Sequence, residues 1–248
     1  MSKVSIITNF FFDRLHCVPI YMYYLNRQTF KDFELIFIDD GPEVGILDVL
    51  KKQPHFFPIR YYRANRRGAG DVAANDTKVK WLNSGSLTNF AVERAAGEYI
   101  IRCDPEMIIQ NNGVEEYHNA LEKADMFFTS RAFCASESHM EFITKHYTDV
   151  DKLWRYITIN CADSKDLMMT MAIRKGSFKR VGGIRTGGVG WGGNDIAFDS
   201  ACKKIKLQHQ SLVTFSTAHM HHRRASHYIG YRDTPVTNPT LVEIPGNV

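Results

Sequence analysis

The sequence has no run of apolar residues long enough to cross a bilayer, which takes about 18 or more in succession. Its early apolar stretch is broken by Asp13 and Arg14, where the core of a signal peptide would continue. These absences predict a soluble, cytoplasmic chain with at most peripheral membrane association. The five cysteines, Cys17, Cys103, Cys134, Cys161 and Cys202, are odd in number, far apart and free of any CxxC spacing. That excludes a disulfide framework and a thiolate zinc site, and leaves reduced thiols. Strong charge is missing too: the formal net charge is +4 over 248 residues and the basic side chains are dispersed. No nucleic-acid partner is expected, although an anionic ligand is easily held. There is no internal repeat and no low-complexity segment.

Hydrophobic residues make up 44% of the chain, enough to fill a sizeable core in one domain. In the first 130 residues, apolar β-prone runs alternate with amphipathic helical patterns. This predicts an α/β fold, a mostly parallel central sheet flanked by helices. Strands are expected over 4–8, 33–38, 58–63, 99–103 and 126–130, with helices over 13–27, 43–52, 86–95 and 113–123. The interval 65–85 is too long for an ordinary connection and reads as a loop over a site or an insertion. Further on, the pattern predicts a helix over 137–146, a strand over 167–173, a glycine-rich loop over 182–193, a helix over 194–206 and a strand over 211–216. The tail, 231–248, holds three of the eight prolines and is expected to pack as an extended strap or to fray.

Several segments carry chemistry. Ile36-Phe37-Ile38-Asp39-Asp40-Gly41 ends an apolar strand in two acids and a turn. Ligands of open α/β sheets bind at that carboxyl edge, where an acid can accept hydrogen bonds from a nucleobase or ribose. The same residues also suit a turn and a helix cap. Arg102-Cys103-Asp104-Pro105-Glu106 ends a second such strand. Carboxylates at i and i+2 there suit Mg²⁺ or Mn²⁺, which complete their shells with phosphate and water.

Gly188-Val189-Gly190-Trp191-Gly192-Gly193 spells GxGxxG, but it does not leave the first strand of a βαβ unit and no acid follows about 20 residues on. It reads instead as a loop presenting Trp191 to a sugar face. Asp195 then stands at a helix start, whose dipole favours the ionised carboxylate a general base needs. His219-Met220-His221-His222-Arg223-Arg224 offers His219, His221 or His222 to a metal, and Arg223 or Arg224 to phosphate oxygens. A basic surface patch is the alternative.

Taken in order, these segments resemble the family 2 type of glycosyltransferase, with the Rossmann-like fold called GT-A. The opening Val4-Ser5-Ile6-Ile7-Thr8, the turn Leu25-Asn26-Arg27-Gln28-Thr29-Phe30, the acids Ile38-Asp39-Asp40-Gly41 and the stretch from Asn89 to Ala96-Gly97-Glu98-Tyr99-Ile100 carry the resemblance. It implies that Thr8, Asp39, Asp40, Asp104 and Arg223 bind the nucleotide-sugar donor. Asp104 and Glu106 stand at the family's DxD position, completed by His219, His221 or His222 around Mn²⁺ or Mg²⁺. Gly190-Trp191-Gly192-Gly193-Asn194-Asp195 resembles the WGGED segment of galactosyl- and N-acetylgalactosaminyltransferases. Trp191, Gly192, Gly193 and Asn194 would then line the acceptor and donor-sugar pocket, with Asp195 as the base. Glu106 and Asn194 depart from the family's usual Asp and Glu.

The implied activity is metal-dependent transfer of a sugar, from a UDP-sugar by analogy, to a hydroxyl of a glycan or other acceptor, with inversion. The domain would span 1–230, with a nucleotide-binding half to about 106 and an acceptor-binding half beyond it. A sugar nucleotidyltransferase would need a glycine-rich loop after the first strand, and residues 8–14 contain no glycine. A non-catalytic nucleotide- or glycan-binding module on the same scaffold is the other alternative.

Overall fold

The computed structural model describes residues 2–10, 14–40, 45–64, 78–79, 84–164, 170–185, 193–222, 227–228 and 239–247. The strands in chain order are β1 (Val4–Phe10), β2 (Phe33–Asp39), β3 (Ile59–Arg63), β4 (Lys78–Val79), β5 (Tyr99–Cys103), β6 (Met107–Ile109), β7 (Phe127–Cys134), β8 (Ala162–Ser164), β9 (Thr170–Arg174), β10 (His209–His219), β11 (His227–Tyr228) and β12 (Thr240–Ile244). The helices are α1 (Val18–Asn26), α2 (Ile46–Lys52), α3 (Ser84–Arg94), α4 (Gly113–Lys123), α5 (Glu137–His146), α6 (Val150–Asn160), α7 (Lys175–Val181) and α8 (Gly193–Lys204). None of the described helices is long and apolar enough to cross a membrane.

Every residue of β1 and β2 is buried, as their near-continuous apolar runs require of strands covered on both faces. They form the centre of a ten-stranded sheet of order β12-β3-β2-β1-β5-β9-β7-β10-β6, with β8 beside β7. Strands β3, β2, β1 and β5 are parallel, so their carboxyl ends share one edge. Antiparallel strands extend the sheet on both sides, β12 on β3 and β9 on β5. The α/β architecture expected from the sequence is present.

Alternation along the strands divides the core. Val4 and Ile6 face α1, α2 and α4, where Tyr21, Leu25, Leu50, Tyr117 and Leu121 are buried. Ile7, Ile36 and Ile38 face α3, α7 and α8, packing with Leu87, Phe178 and Phe198. A third cluster seats α5 and α6, through Ile143, Leu153, Trp154 and Ile157, against Ile20 and Tyr24 of α1 and against Ala218 and Met220.

Several boundaries differ from expectation. The first helix begins at Val18 rather than residue 13, because a 3₁₀ turn (Leu15–Cys17) precedes it and Pro19 occupies its first turn. Between the expected strand over 167–173 and the expected loop over 182–193, where the sequence predicts no element, lies α7, stopped where Gly182 and Gly183 adopt left-handed φ of 89° and 75°. Helix α6 was not anticipated, although the Asp149 carboxylate accepts from the Lys152 backbone N–H at its start. Strand β10 is longer than the expected 211–216, its register shifting between Leu212 and Ser216. In the tail, β12 lies antiparallel on β3 and Asn247 is locked to His55, its N–H donating to the His55 carbonyl at 2.8 Å. Of the interval 65–85, only 78–79 and 84–85 lie among the described residues.

Candidate active site

The carboxyl ends of the parallel strands bring the acids together. Phe10 pairs with Asp39, and Asp39 with Arg63, so the ends of β1, β2 and β3 are level. Asp39 is buried and accepts hydrogen bonds from the Tyr61 hydroxyl and, at 2.5 Å, from Arg63 Nη1. Burial and the Asp39 charge push the Tyr61 phenol up. Burial works against the Arg63 charge, but Asp39 outweighs it and raises the guanidinium. Asp40 is also buried, its backbone N–H donating to Phe10 O at 3.1 Å. Thr8 is wholly buried: its hydroxyl lies 2.5 Å from the Tyr21 hydroxyl and donates to Cys103 O at 2.9 Å, tying β1 to β5.

Asp104 follows β5. Its Oδ2 accepts from Arg102 Nη2 at 2.7 Å and its Oδ1 from the Asn9 backbone N–H at 3.4 Å. Burial raises its pKa, Arg102 pulls the other way, and the neighbouring Glu106 charge adds to the rise.

Glu106 closes the turn into β6. It lies beside the histidines because β6 pairs antiparallel with β10, Met107 opposite His219, and because the Met220 N–H donates to Glu106 O at 2.7 Å. Glu106 Oε1 is 3.8 Å from His222 Nε2 and 4.0 Å from His219 Nε2, while Oε2 is 2.8 Å from Arg14 Nε. Burial opposes ionisation of this carboxyl. Arg14, His222 and His219 together outweigh burial and hold it below its usual value.

Among the described residues, Glu106, His219 and His222 are the group whose metal-ligating atoms lie within 4.8 Å of one another. One carboxylate and two imidazoles at strand ends suit a divalent transition ion with open positions. Asp104 and His221 are not in the group. His221 is held by its backbone, its N–H toward Met140 Sδ at 3.2 Å and its carbonyl 3.2 Å from His16 Nε2.

A pH dependence follows. Imidazole ligates only when neutral, so protons would compete at two nitrogens with any ion held on this group, whereas Glu106, held low, stays ionised near neutrality. Mn²⁺ affinity measured by calorimetry should fall roughly tenfold to a hundredfold from about pH 7.5 to about pH 5.5. A flat profile would show that the imidazoles are not ligands.

The sequence matches no protein-family model. Solved structures do match in shape. TarS from S. aureus superposes with a TM-score of 0.56 at 10% identity over 88% of this chain. TarS 1–349 in complex with UDP-GlcNAc gives 0.57 at 11% over 91%. The mannosyltransferase PcManGT from Pyrobaculum calidifontis, in complex with GDP-Man and Mn²⁺, gives 0.54 at 10% over 87%. The fold is that of the GT-A glycosyltransferases. This chain spans 37%, 61% and 56% of those three chains, respectively.

Trp191, Gly192 and Arg223 lie outside the described residues, as does Arg224. Gly193, Asn194 and Asp195 open α8, and only their backbone is described. Sequence reasoning missed two arginines. Arg102 had a signal, since it sits two residues before Asp104 on a strand and so shares its face. Arg14 had none, because only the folded chain brings it to Glu106.

Proposed function

We propose that the chain is a metal-dependent glycosyltransferase of the family 2 type, moving a sugar from a nucleotide-sugar donor to a hydroxyl of a glycan or other acceptor with inversion. The observation that carries this reading is the convergence of Glu106, His219 and His222 at the carboxyl edge of a GT-A sheet. Held there, Mn²⁺ or Mg²⁺ would supply Lewis-acid neutralisation of the departing diphosphate. Two imidazole ligands favour Mn²⁺ of the pair, the ion in the PcManGT complex.

The residues up to about 106 form the nucleotide side, and the acceptor side follows. Asp39 meets the nucleoside as a pair with the partly exposed Arg63, rather than as a bare carboxylate. Asp40 and Thr8 support that edge, Asp104 faces the donor's ribose and phosphates, and Arg223 holds phosphate oxygens. Trp191, Gly192, Gly193 and Asn194 line the sugar and acceptor pocket, on the WGGED likeness. Asp195, at the start of α8, takes the acceptor hydroxyl's proton, its ionised form favoured by the helix dipole. The protein works in the cytoplasm.

The test is a panel of UDP- and GDP-sugars with and without Mn²⁺, because the solved relatives hold one donor of each kind. Metal-dependent turnover is expected, with an inverted product by NMR. Asp195→Asn should lower kcat by about a hundredfold to ten-thousandfold with nucleotide affinity kept. Binding without turnover of any donor would favour the binding module, and a retained anomeric configuration would refute inversion.

A further inference from the structure

We propose that Arg14 is a tethered cation that holds Glu106 and His222 in the absence of metal and leaves His222 when metal enters, so that it sets the metal affinity of the site. This rests on the metal-dependent reading above. Arg14 Nε lies 2.8 Å from Glu106 Oε2 and its Nη2 lies 3.5 Å from His222 Nε2. These are two of the three residues whose ligand atoms converge.

The two contacts have different consequences. Glu106 has two oxygens, one on Arg14 and the other facing the imidazoles, so both cations can share it. A neutral imidazole has one accepting nitrogen, and the lone pair that receives the Nη2 proton is the one a metal needs. Guanidinium and metal therefore exclude each other at His222 Nε2. Repulsion between two cations in a buried site adds to the conflict. Of the two arginines beside the acids, Arg14 is the one whose contacts fall on the converging group, whereas Arg102 bonds Asp104, which lies outside it.

The test is Mn²⁺ titration of the full chain by calorimetry, with electron spin-echo spectroscopy to count imidazole nitrogens on the bound ion. Arg14→Met should bind Mn²⁺ about tenfold to a hundredfold more tightly than the unaltered protein, the size of a lost charged hydrogen-bond contact, with two imidazoles coupled. Arg14→Lys keeps the charge but loses the fork that reaches His222, and should fall between them.

Affinity of a folded Arg14→Met protein equal to or below that of the parent would overturn the proposal, making Arg14 a brace. Parental affinity in Arg14→Lys would overturn it as well, leaving charge alone as the cause. Should Arg14→Met fail to fold, Arg14→Lys decides. His219→Ala separates the two readings. If it abolishes Mn²⁺ binding while the Arg14 variants change nothing, only the exchange falls; if it leaves Mn²⁺ affinity intact, the metal seat falls and the exchange with it.

Discussion

Glu106→Gln is expected to lower metal-dependent transfer by about a thousandfold or more, the scale of losing an ion's charge stabilisation at a departing diphosphate. Glutamine fills the same space, so the loss comes from charge and not from packing. The substitution also leaves the nearly buried Arg14 guanidinium facing a neutral amide. Breaking a buried pair by removing one partner costs about 3–5 kcal/mol, less whatever Arg14 recovers by turning toward water. The sign agrees with the titration of Glu106. Its folded-state pKa lies below the ordinary value, so its contribution is present above that ordinary value and is lost as pH falls through the lower one. Kinetics and thermal melts should be measured together, with His219→Ala/His222→Ala as the comparison. The double variant should match the loss of transfer without stranding Arg14, and near-parental turnover in either protein would remove the metal from the account.

Gly97→Ala is expected to cost about 3–5 kcal/mol of stability, a large part of the roughly 5–15 kcal/mol that holds a domain together. A Cβ at this position would lie 2.7 Å from Ser5 N and Val4 C and 2.8 Å from Lys3 O. All three are backbone atoms at the start of the central strand, so no flexible side chain can yield. The Gly97 N–H also donates to Ser5 Oγ at 2.9 Å, and Ser5 Oγ donates to the buried Glu34, so displacement there disturbs a polar network. Gly176 in α7 is the control: its added Cβ meets nothing within 4 Å. Gly176→Ala should be neutral or stabilise by up to about 1 kcal/mol. Urea denaturation of the two variants measures the contrast, and equal stabilities would contradict the packing described.

The central sheet was legible because β1, β2 and β5 are buried on both faces, and such strands spell predominantly apolar, β-branched and aromatic runs broken only by a few buried polar residues such as Ser5, Glu34 and Arg102. Asp39, Asp40, Asp104 and Glu106 were legible for a related reason: a polar residue that ends an apolar strand marks the sheet's edge. The histidine cluster could be found but not resolved. Which imidazole meets Glu106 depends on the pairing of Met107 with His219, and that is a matter of register, not of composition. Arg14 illustrates the limit. Nothing beside it in the chain signals a partner, and its contact exists only because the segment after β1 and the segment after β10 end at the same place. Helix α6 escaped because its buried Leu153, Trp154 and Ile157 form a narrow stripe among exposed polar residues. Strand β12 escaped because its pattern of mostly exposed residues is that of an edge strand.

A crystal of the full chain grown with Mn²⁺ and a nucleoside diphosphate, measured at the manganese absorption edge, tests the central claim most directly. The account predicts one anomalous peak bonded to Glu106, His219 and His222, with the diphosphate on its open side and Arg14 turned away from His222. An anomalous peak elsewhere, or nucleotide bound with no metal at Glu106, would contradict it.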